Sequence, residues 1–476
     1  MRGHIIKGRE VWDGEGQWPV FDPARGEVFD AVPQARPEVV EQAVAAAVEA
    51  GREWARVSTL ERVRLLFRYK AVLEEHFEEL AALVTHQHGK TLEEARGEVR
   101  RGLEVVDFAC GAATHIQGRT LPNVGGQVDQ LWYRQPVGVV ACITPFNFPV
   151  MIPLWMVPLA VVMGNTVVLK PSERTPLGAV RLAELALEAG IPAGVINVVH
   201  GDGRVVNQLV EHPAVAAVSF VGSAAIARRV YETAAQAGKR VQAAGGAKNH
   251  LVVMPDADWA QAVPAVINSA FGNAGERCLA GSVVVAVGEA YRPLLDQVVE
   301  AARRLKVGPG DEPGVDVGPL IRAEHRDRVC GYIAQGEREG ARVVLDGRPG
   351  YLERPGFFLG PTILDAVTPS SAVGREEIFG PVLSVMQAES LEEALRIIEA
   401  NPYGNMAAIF TQSGRAARRF REGVQCGMVG VNVGVAQPLA YYPFSGWRES
   451  FFGDLHLHGP DGVEFYTRKK VVVERW

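Results

Sequence analysis

Cysteine is scarce in this sequence. Five occur among 476 residues, at positions 110, 142, 278, 330 and 426. They lie far apart, and no CxxC pair or Cys/His cluster joins any two, which argues against a disulfide framework and against any metal site. Charge of one sign is lacking as well. The 49 Lys and Arg oppose 55 Asp and Glu, a formal net charge of −6. No basic run stands out, so neither nucleic acid nor a membrane surface is expected as a partner. An unbroken apolar span is also missing. The most apolar region, 137–169, is interrupted by Pro145, Pro149, Pro153 and Pro158 and by Asn147 and Asn165. A membrane helix does not tolerate that density of breaks. The first residues, MRGHIIKGREVWDG, lack the apolar core of a signal peptide, and a cytoplasmic protein is expected.

What the chain has is length and aliphatic content. At 47% hydrophobic and 22% charged residues it is not a disordered chain. Its length suggests two large domains or about three smaller ones, with a core that needs no covalent staple. FDPARGEVF (21–29) reads as a hairpin. From Pro37 to about Gly118 apolar residues recur at three- and four-residue spacing, the pattern of core-facing helices with solvated Glu, Lys and Arg faces. Beyond 118 the pattern alternates. GVVACI (138–143), TVVLK (166–170), INVVHG (196–201) and AAVSFVGS (216–223) are strand-like and separated by helical stretches. Thr175 is expected to cap one of those helices, with Pro176 first inside it and Gly190 after its end. Such alternation predicts an α/β fold with a parallel sheet covered on both faces, a common cradle for a nucleotide. A second α/β block follows, with HLVVMPDAD, SVVVAVG, VGPLI, RVVLDG, FFLGPTIL, PVLSVMQA and MAAIFTQ as strand candidates. The closing VEFYTRKKVVVERW reads as an edge or intersubunit strand.

Four segments carry candidate chemistry. Cys278, in FGNAGERCLAGS, is either a small buried hydrophobe or a nucleophile. Asn147, in ITPFNFP, is either a satisfied loop residue or a donor to an oxyanion. Lys170 and Glu173, in LKPSERTP, form either a solvated loop or a grip on ribose hydroxyls where a strand meets a helix. SFVGSAAIARRV joins strand, Gly-Ser and helix, a geometry that suits phosphate, although it is not GxGxxG.

Taken together, PFNFP, LKPSE, FVGS, GGAKNH, GERC and EEIFGPV, in this order over about 240 residues, resemble the aldehyde dehydrogenase superfamily. The likeness extends over nearly the whole chain. Within the superfamily the sequence is most similar to the CoA-acylating methylmalonate-semialdehyde dehydrogenase branch, through VRRGLEVVDFACG, GGAKNHLVVMPDA, GERC, NPYGNMAAIFT and GVEFYTRKK. The resemblance implies two doubly wound α/β domains plus a β-flap. It implies an NAD-binding domain of residues 1–117 and 137–247, a catalytic domain of 248–448, and an oligomerisation element of 118–136 and 449–476. It implies Cys278 as nucleophile, with Asn147 and the Cys278 N–H stabilising the oxyanion. NAD would meet Thr144, Phe146, Lys170, Glu173, Arg174, Ser223, Gly245, Glu377 and Phe379. The Glu173 carboxylate favours NAD over NADP, with Arg174 pulling the other way.

One position is informative for what it does not hold. Aligning Gly246, Ala247 and Lys248 with the GGK of ELGGK in hydrolytic relatives puts Ala244 where their water-activating Glu stands. Without that base, CoA is the expected acyl acceptor, because a thiol attacks a thioester better than water does. The alternative is a hydrolytic NAD-dependent aldehyde dehydrogenase in which Glu276 serves as the base. Arg101 and Arg277 are expected to hold a carboxylate on the aldehyde, which makes malonate or methylmalonate semialdehyde the expected substrate. Assembly as a homodimer or homotetramer is expected through the C-terminal strand.

Overall fold

The computed structural model describes residues 2–476. Two large sheets organise it. The first has eight strands in the order Arg9–Val11, His4–Ile6, Ile196–Val198, Thr166–Lys170, Val139–Ile143, Val215–Val221, Arg240–Ala244 and Phe451–Phe452. Its five central strands run parallel, and the outer pairings are antiparallel. The second has seven strands, Arg342–Leu345, Thr362–Asp365, Val382–Ala388, Val283–Val287, His250–Val253, Met406–Phe410 and Met428–Val431, parallel except for the first. These are the doubly wound sheets expected from continuous Val/Ile runs buried on both faces.

The strand Val139–Ile143 shows why its sequence is apolar throughout. Val140 and Cys142 pack with one group of core residues, and Val139, Ala141 and Ile143 with another on the opposite face. The helix Pro37–Trp54 covers the second face; Thr59–Glu75, Leu92–Cys110 and Met151–Val162 cover the first. All twelve residues of Met151–Val162 are buried, Pro153 and Pro158 included. No helix among the described residues is long and apolar enough to cross a membrane.

A small sheet orders Thr467–Arg475, Val128–Pro136 and Arg119–Gly125. Thr467–Arg475 pairs along its whole length with Val128–Pro136. Among the described residues its other edge has no partner, and Val471 and Val473 on it are exposed. On the way there, Phe451–Phe452 joins the first sheet beside Arg240–Ala244. The Arg240 guanidinium then donates to the carbonyls of Glu464, Phe465 and Thr467, and Tyr466 is buried.

Four local expectations are corrected. Thr175 does not cap its helix: Pro176 occupies the cap position of Leu177–Glu188, and the free Leu177 N–H donates to Gln87 Oε1 at 3.0 Å. The Thr175 hydroxyl instead donates to the Phe146 carbonyl at 2.9 Å. VGPLI forms no strand; Val317 makes only an isolated bridge to Val307. In the C-terminal run, residues up to Phe465 close a short helix, Gly459–Phe465, before the strand begins. Finally, Lys90 and Glu98 are not solvated. Their side chains are fully buried and pair at 2.6 Å. Each charge is compensated by the other and by backbone groups, which is what makes their burial tolerable.

Candidate active site

The carboxyl edge of the first sheet faces the amino edge of the second. Loops leaving Ile143, Lys170, Val221 and Ala244 supply one wall. Asn249 and Asn405, each one residue ahead of a strand of the second sheet, lie behind the other. Cys278 sits between them and lines two cavities at once.

The larger cavity, about 610 Å³, is lined by Thr144, Phe146, Asn147, Lys170, Glu173, Arg174, Ser223, Gly245, Glu377, Phe379 and Cys278. Every residue expected to meet the dinucleotide is therefore in one place. Lys170 Nζ donates to Glu173 Oε2 at 3.3 Å. Burial pushes Glu173 up, but Lys170, its own N–H and Arg174 outweigh that and hold it below the usual carboxylate range. The Arg174 guanidinium lies 5.3 Å over the Phe146 ring. Ser223 precedes the helix Ala224–Gln236 and makes no side-chain cap, so first-turn N–H groups remain open to an anion. At the other end the Ala247 N–H donates to Glu377 Oε1 at 2.9 Å. Burial raises Glu377 to about 7. A Cβ on Gly246 would come within 2.7 Å of Glu377 Oε2, so the Gly-Gly turn permits this approach.

The smaller cavity, about 240 Å³, shares Cys278 and Phe148 with the larger one. Arg101, Arg277, Glu94, Trp155, Gln437 and Phe444 help to line it. Arg101 pairs with Glu104 at 2.9 Å and is half-exposed. Arg277 is different. Its Nη2 donates to the Asn268 carbonyl, its buried Nε has no partner, and it forms no ion pair among the described residues. Burial lowers its pKa.

The turn before Cys278 is built from left-handed residues: Asn273 at φ 55°, Ala274 at φ 51° and Gly275 at φ 72°. At Gly275 a Cβ would meet the Gly380 carbonyl at 2.1 Å, so only glycine fits. Asn147 Nδ2 donates to the Glu276 carbonyl at 2.9 Å, which ties the first sheet's loop to this turn. Burial, with the Glu377 carboxylate adding to it, pushes the Cys278 thiol up to about 12; its own N–H, Arg277 and the Leu279 N–H oppose the rise.

Sequence reasoning missed the supports. Lys90 Nζ donates to the Asn147 carbonyl at 2.7 Å, and Glu98 Oε1 accepts from the Val150 N–H at 2.8 Å. The Cys278 carbonyl accepts from both Asn249 Nδ2 and Asn405 Nδ2, each at 2.8 Å. Asn249 and Asn405 fall within motifs already quoted and Glu98 adjoins one, while Lys90 carried no sequence signal. Glu276 and Ala244 line neither cavity. The Glu276 carboxyl is fully buried, accepts from the Ile321 N–H at 3.3 Å and sits beside His325 and His88. Burial raises it to about 8.

Residues 12–472 match the sequence model of the Aldehyde dehydrogenase family. Malonate-semialdehyde dehydrogenase 2 of Geobacillus thermodenitrificans is 55% identical over 474 residues, covering 99% of this chain and 98% of that protein. Its counterpart in Geobacillus kaustophilus is 53% identical over 471 residues, 97% of each. Among solved structures, methylmalonate-semialdehyde dehydrogenase from Oceanimonas doudoroffii superposes with a TM-score of 0.98 at 48% identity, covering 100% of this chain and 98% of that one. A Sinorhizobium meliloti protein described as a methylmalonate-semialdehyde dehydrogenase, solved with NAD, gives 0.98 at 45% identity over the same shares. With a cysteine set between two facing α/β sheets and likeness along its whole length, this chain belongs to the aldehyde dehydrogenase family.

Proposed function

We propose that this enzyme oxidises malonate or methylmalonate semialdehyde with NAD and passes the acyl group to CoA, giving acetyl-CoA or propionyl-CoA. One observation carries the substrate class: Arg277, half-buried beside Cys278 in the lining of the smaller cavity, has a buried Nε without a hydrogen-bond partner and forms no ion pair among the described residues, Glu94 acting on it only through space. A guanidinium N–H held away from water without an acceptor is costly, and a substrate carboxylate would offset that through a planar two-point contact. Arg101, on the same wall, would assist. The relatives named above support the same substrate class.

The larger cavity fits a dinucleotide. Lys170 and Glu173 would hold the adenosine ribose, and the open helix terminus at Ser223 the pyrophosphate. Glu377, with Phe379 beside it, would take the other ribose. The charged Glu173 carboxylate would repel a 2′-phosphate, which favours NAD.

The reaction begins when the Cys278 thiolate attacks the aldehyde carbon and forms a C–S bond. One Asn147 N–H is engaged by the Glu276 carbonyl; the second, with the Cys278 N–H, would receive the oxyanion. NAD, when bound, supplies the oxidant that takes the hydride from that carbon, which leaves a thioester on Cys278. The β-carboxylate leaves as CO2, its bonding electrons delocalised into the thioester carbonyl until a proton from solvent completes the α-carbon. The thiolate of CoA then attacks the thioester and displaces the Cys278 thiolate. With alanine at 244, and with Glu276 turned into the protein, neither position offers water a base at the thioester.

The free edge of Thr467–Arg475, with Val471 and Val473 exposed, supports assembly with a second copy. The decisive experiment supplies the purified protein with NAD, CoA and malonate semialdehyde and identifies the product. Acetyl-CoA, with NADH formation dependent on CoA, is expected. Equal NADH turnover without CoA, with a free carboxylic acid as product, would overturn the acylating step.

A further inference from the structure

We infer that Asn249 and Asn405 are positioning residues which, by jointly gripping the Cys278 carbonyl, aim the Leu279 N–H at the nucleophilic sulfur. Both carboxamides donate to that one oxygen at 2.8 Å, which uses both of its lone pairs. Asn249 is itself locked: Nδ2 also donates to the Ala280 carbonyl at 2.9 Å, and Oδ1 accepts from the Met406 N–H at 3.0 Å. The two asparagines precede adjacent parallel strands, so the second sheet fixes their spacing.

A trans peptide points its C=O and N–H in opposite directions. Holding the Cys278 oxygen therefore sets where the Leu279 N–H points, and the Leu279 N–H is among the groups that favour the thiolate. Two donors on the carbonyl also polarise the peptide and strengthen that N–H. Asn405 lines neither cavity, so its effect must pass through the peptide rather than through contact with a reactant.

The inference rests on Cys278 being the nucleophile but not on the identity of aldehyde or acyl acceptor. Its test therefore uses iodoacetamide alone, with no aldehyde, dinucleotide or CoA. Cys330, the other half-buried cysteine, is replaced by Ser so that only Cys278 reports. The rate of Cys278 alkylation is followed against pH in this background and in Asn405→Ala. Letting the Leu279 N–H turn away from the sulfur should move the midpoint up by about one pH unit and slow alkylation near neutrality about tenfold. Should Asn405→Ala not fold, Asn405→Leu and Asn249→Ser are read the same way. A folded variant with an unchanged midpoint, whatever its melting temperature, overturns the inference. Failure of Cys278 to react selectively in the parent would overturn the nucleophile itself.

Discussion

At the carboxyl edge of the first sheet, the lining comes from loops that directly follow strands. Thr144, Phe146 and Asn147 follow Val139–Ile143, Glu173 and Arg174 follow Thr166–Lys170, and Ser223 follows Val215–Val221. At the amino edge of the second sheet the order is reversed. Cys278 comes from a left-handed turn ahead of Val283–Val287, and buried side chains far away in sequence hold it. On the proposed function the first edge serves as a surface for grasping a ligand with backbone and ribose-sized polar groups. The second is a fixture for one sulfur. Ligand affinity should respond to the first, and bond making to the second.

The sharpest way to separate them is Cys278→Ser. Turnover should fall roughly 10⁴-fold or more, while dinucleotide binding measured by fluorescence persists. Loss of both together would mean that the edges are not separable. Asn147→Ala reaches across the junction, since this residue belongs to the first loop and serves the second edge. A fall of about 10²–10³ in kcat is expected by stopped-flow NADH formation, and an effect confined to KM would place Asn147 with the ligand grip instead. Arg277→Leu tests selectivity rather than chemistry. The kcat/KM for malonate semialdehyde should drop about 10–100-fold more than that for propanal, and equal losses would reject the carboxylate anchor.

The smallest effect concerns Glu276. Its ordinary pKa of 4.5 is raised by burial to about 8 in the folded chain. Between those values the folded state keeps a proton that the unfolded state has released, so this group's contribution to stability is lost as pH rises across that window. Glu276→Gln cannot lose it. The melting temperature of the variant relative to the parent should rise from about pH 4.5 to about pH 8, and parallel curves would show that the carboxyl does not titrate there.

The two edges also differ in how far they can be read from sequence. Strand, short loop and helix recur in register around the first sheet, so PFNFP, LKPSE and FVGS announce themselves locally. The supports of the second edge do not. Lys90 looks like part of a helix's polar face because the groups that bury it, such as Phe148 and the Asn147 carbonyl, are over fifty positions away, and Glu98 meets the Val150 N–H at a similar remove. Asn249 and Asn405 are 156 positions apart yet meet on one oxygen, a juxtaposition created only by parallel strand pairing. Thr175 failed as a cap for a similar reason: Gln87, 90 residues from Leu177, took the task. Periodicity reports which way a residue faces, but not what waits there.

The first sheet is not finished by the first half of the chain. Its edge at Arg240–Ala244 receives Phe451–Phe452 only after the whole second sheet has been laid down. During synthesis that edge stays unpaired while some two hundred further residues emerge, a wait of roughly 10–40 s at ordinary elongation rates. An open strand edge invites pairing with other chains. The nascent protein therefore has a vulnerable interval that ends only once Phe451–Phe452 has left the ribosome. Severing the chain near residue 247 should leave a fragment that sticks to chaperones instead of an autonomous half.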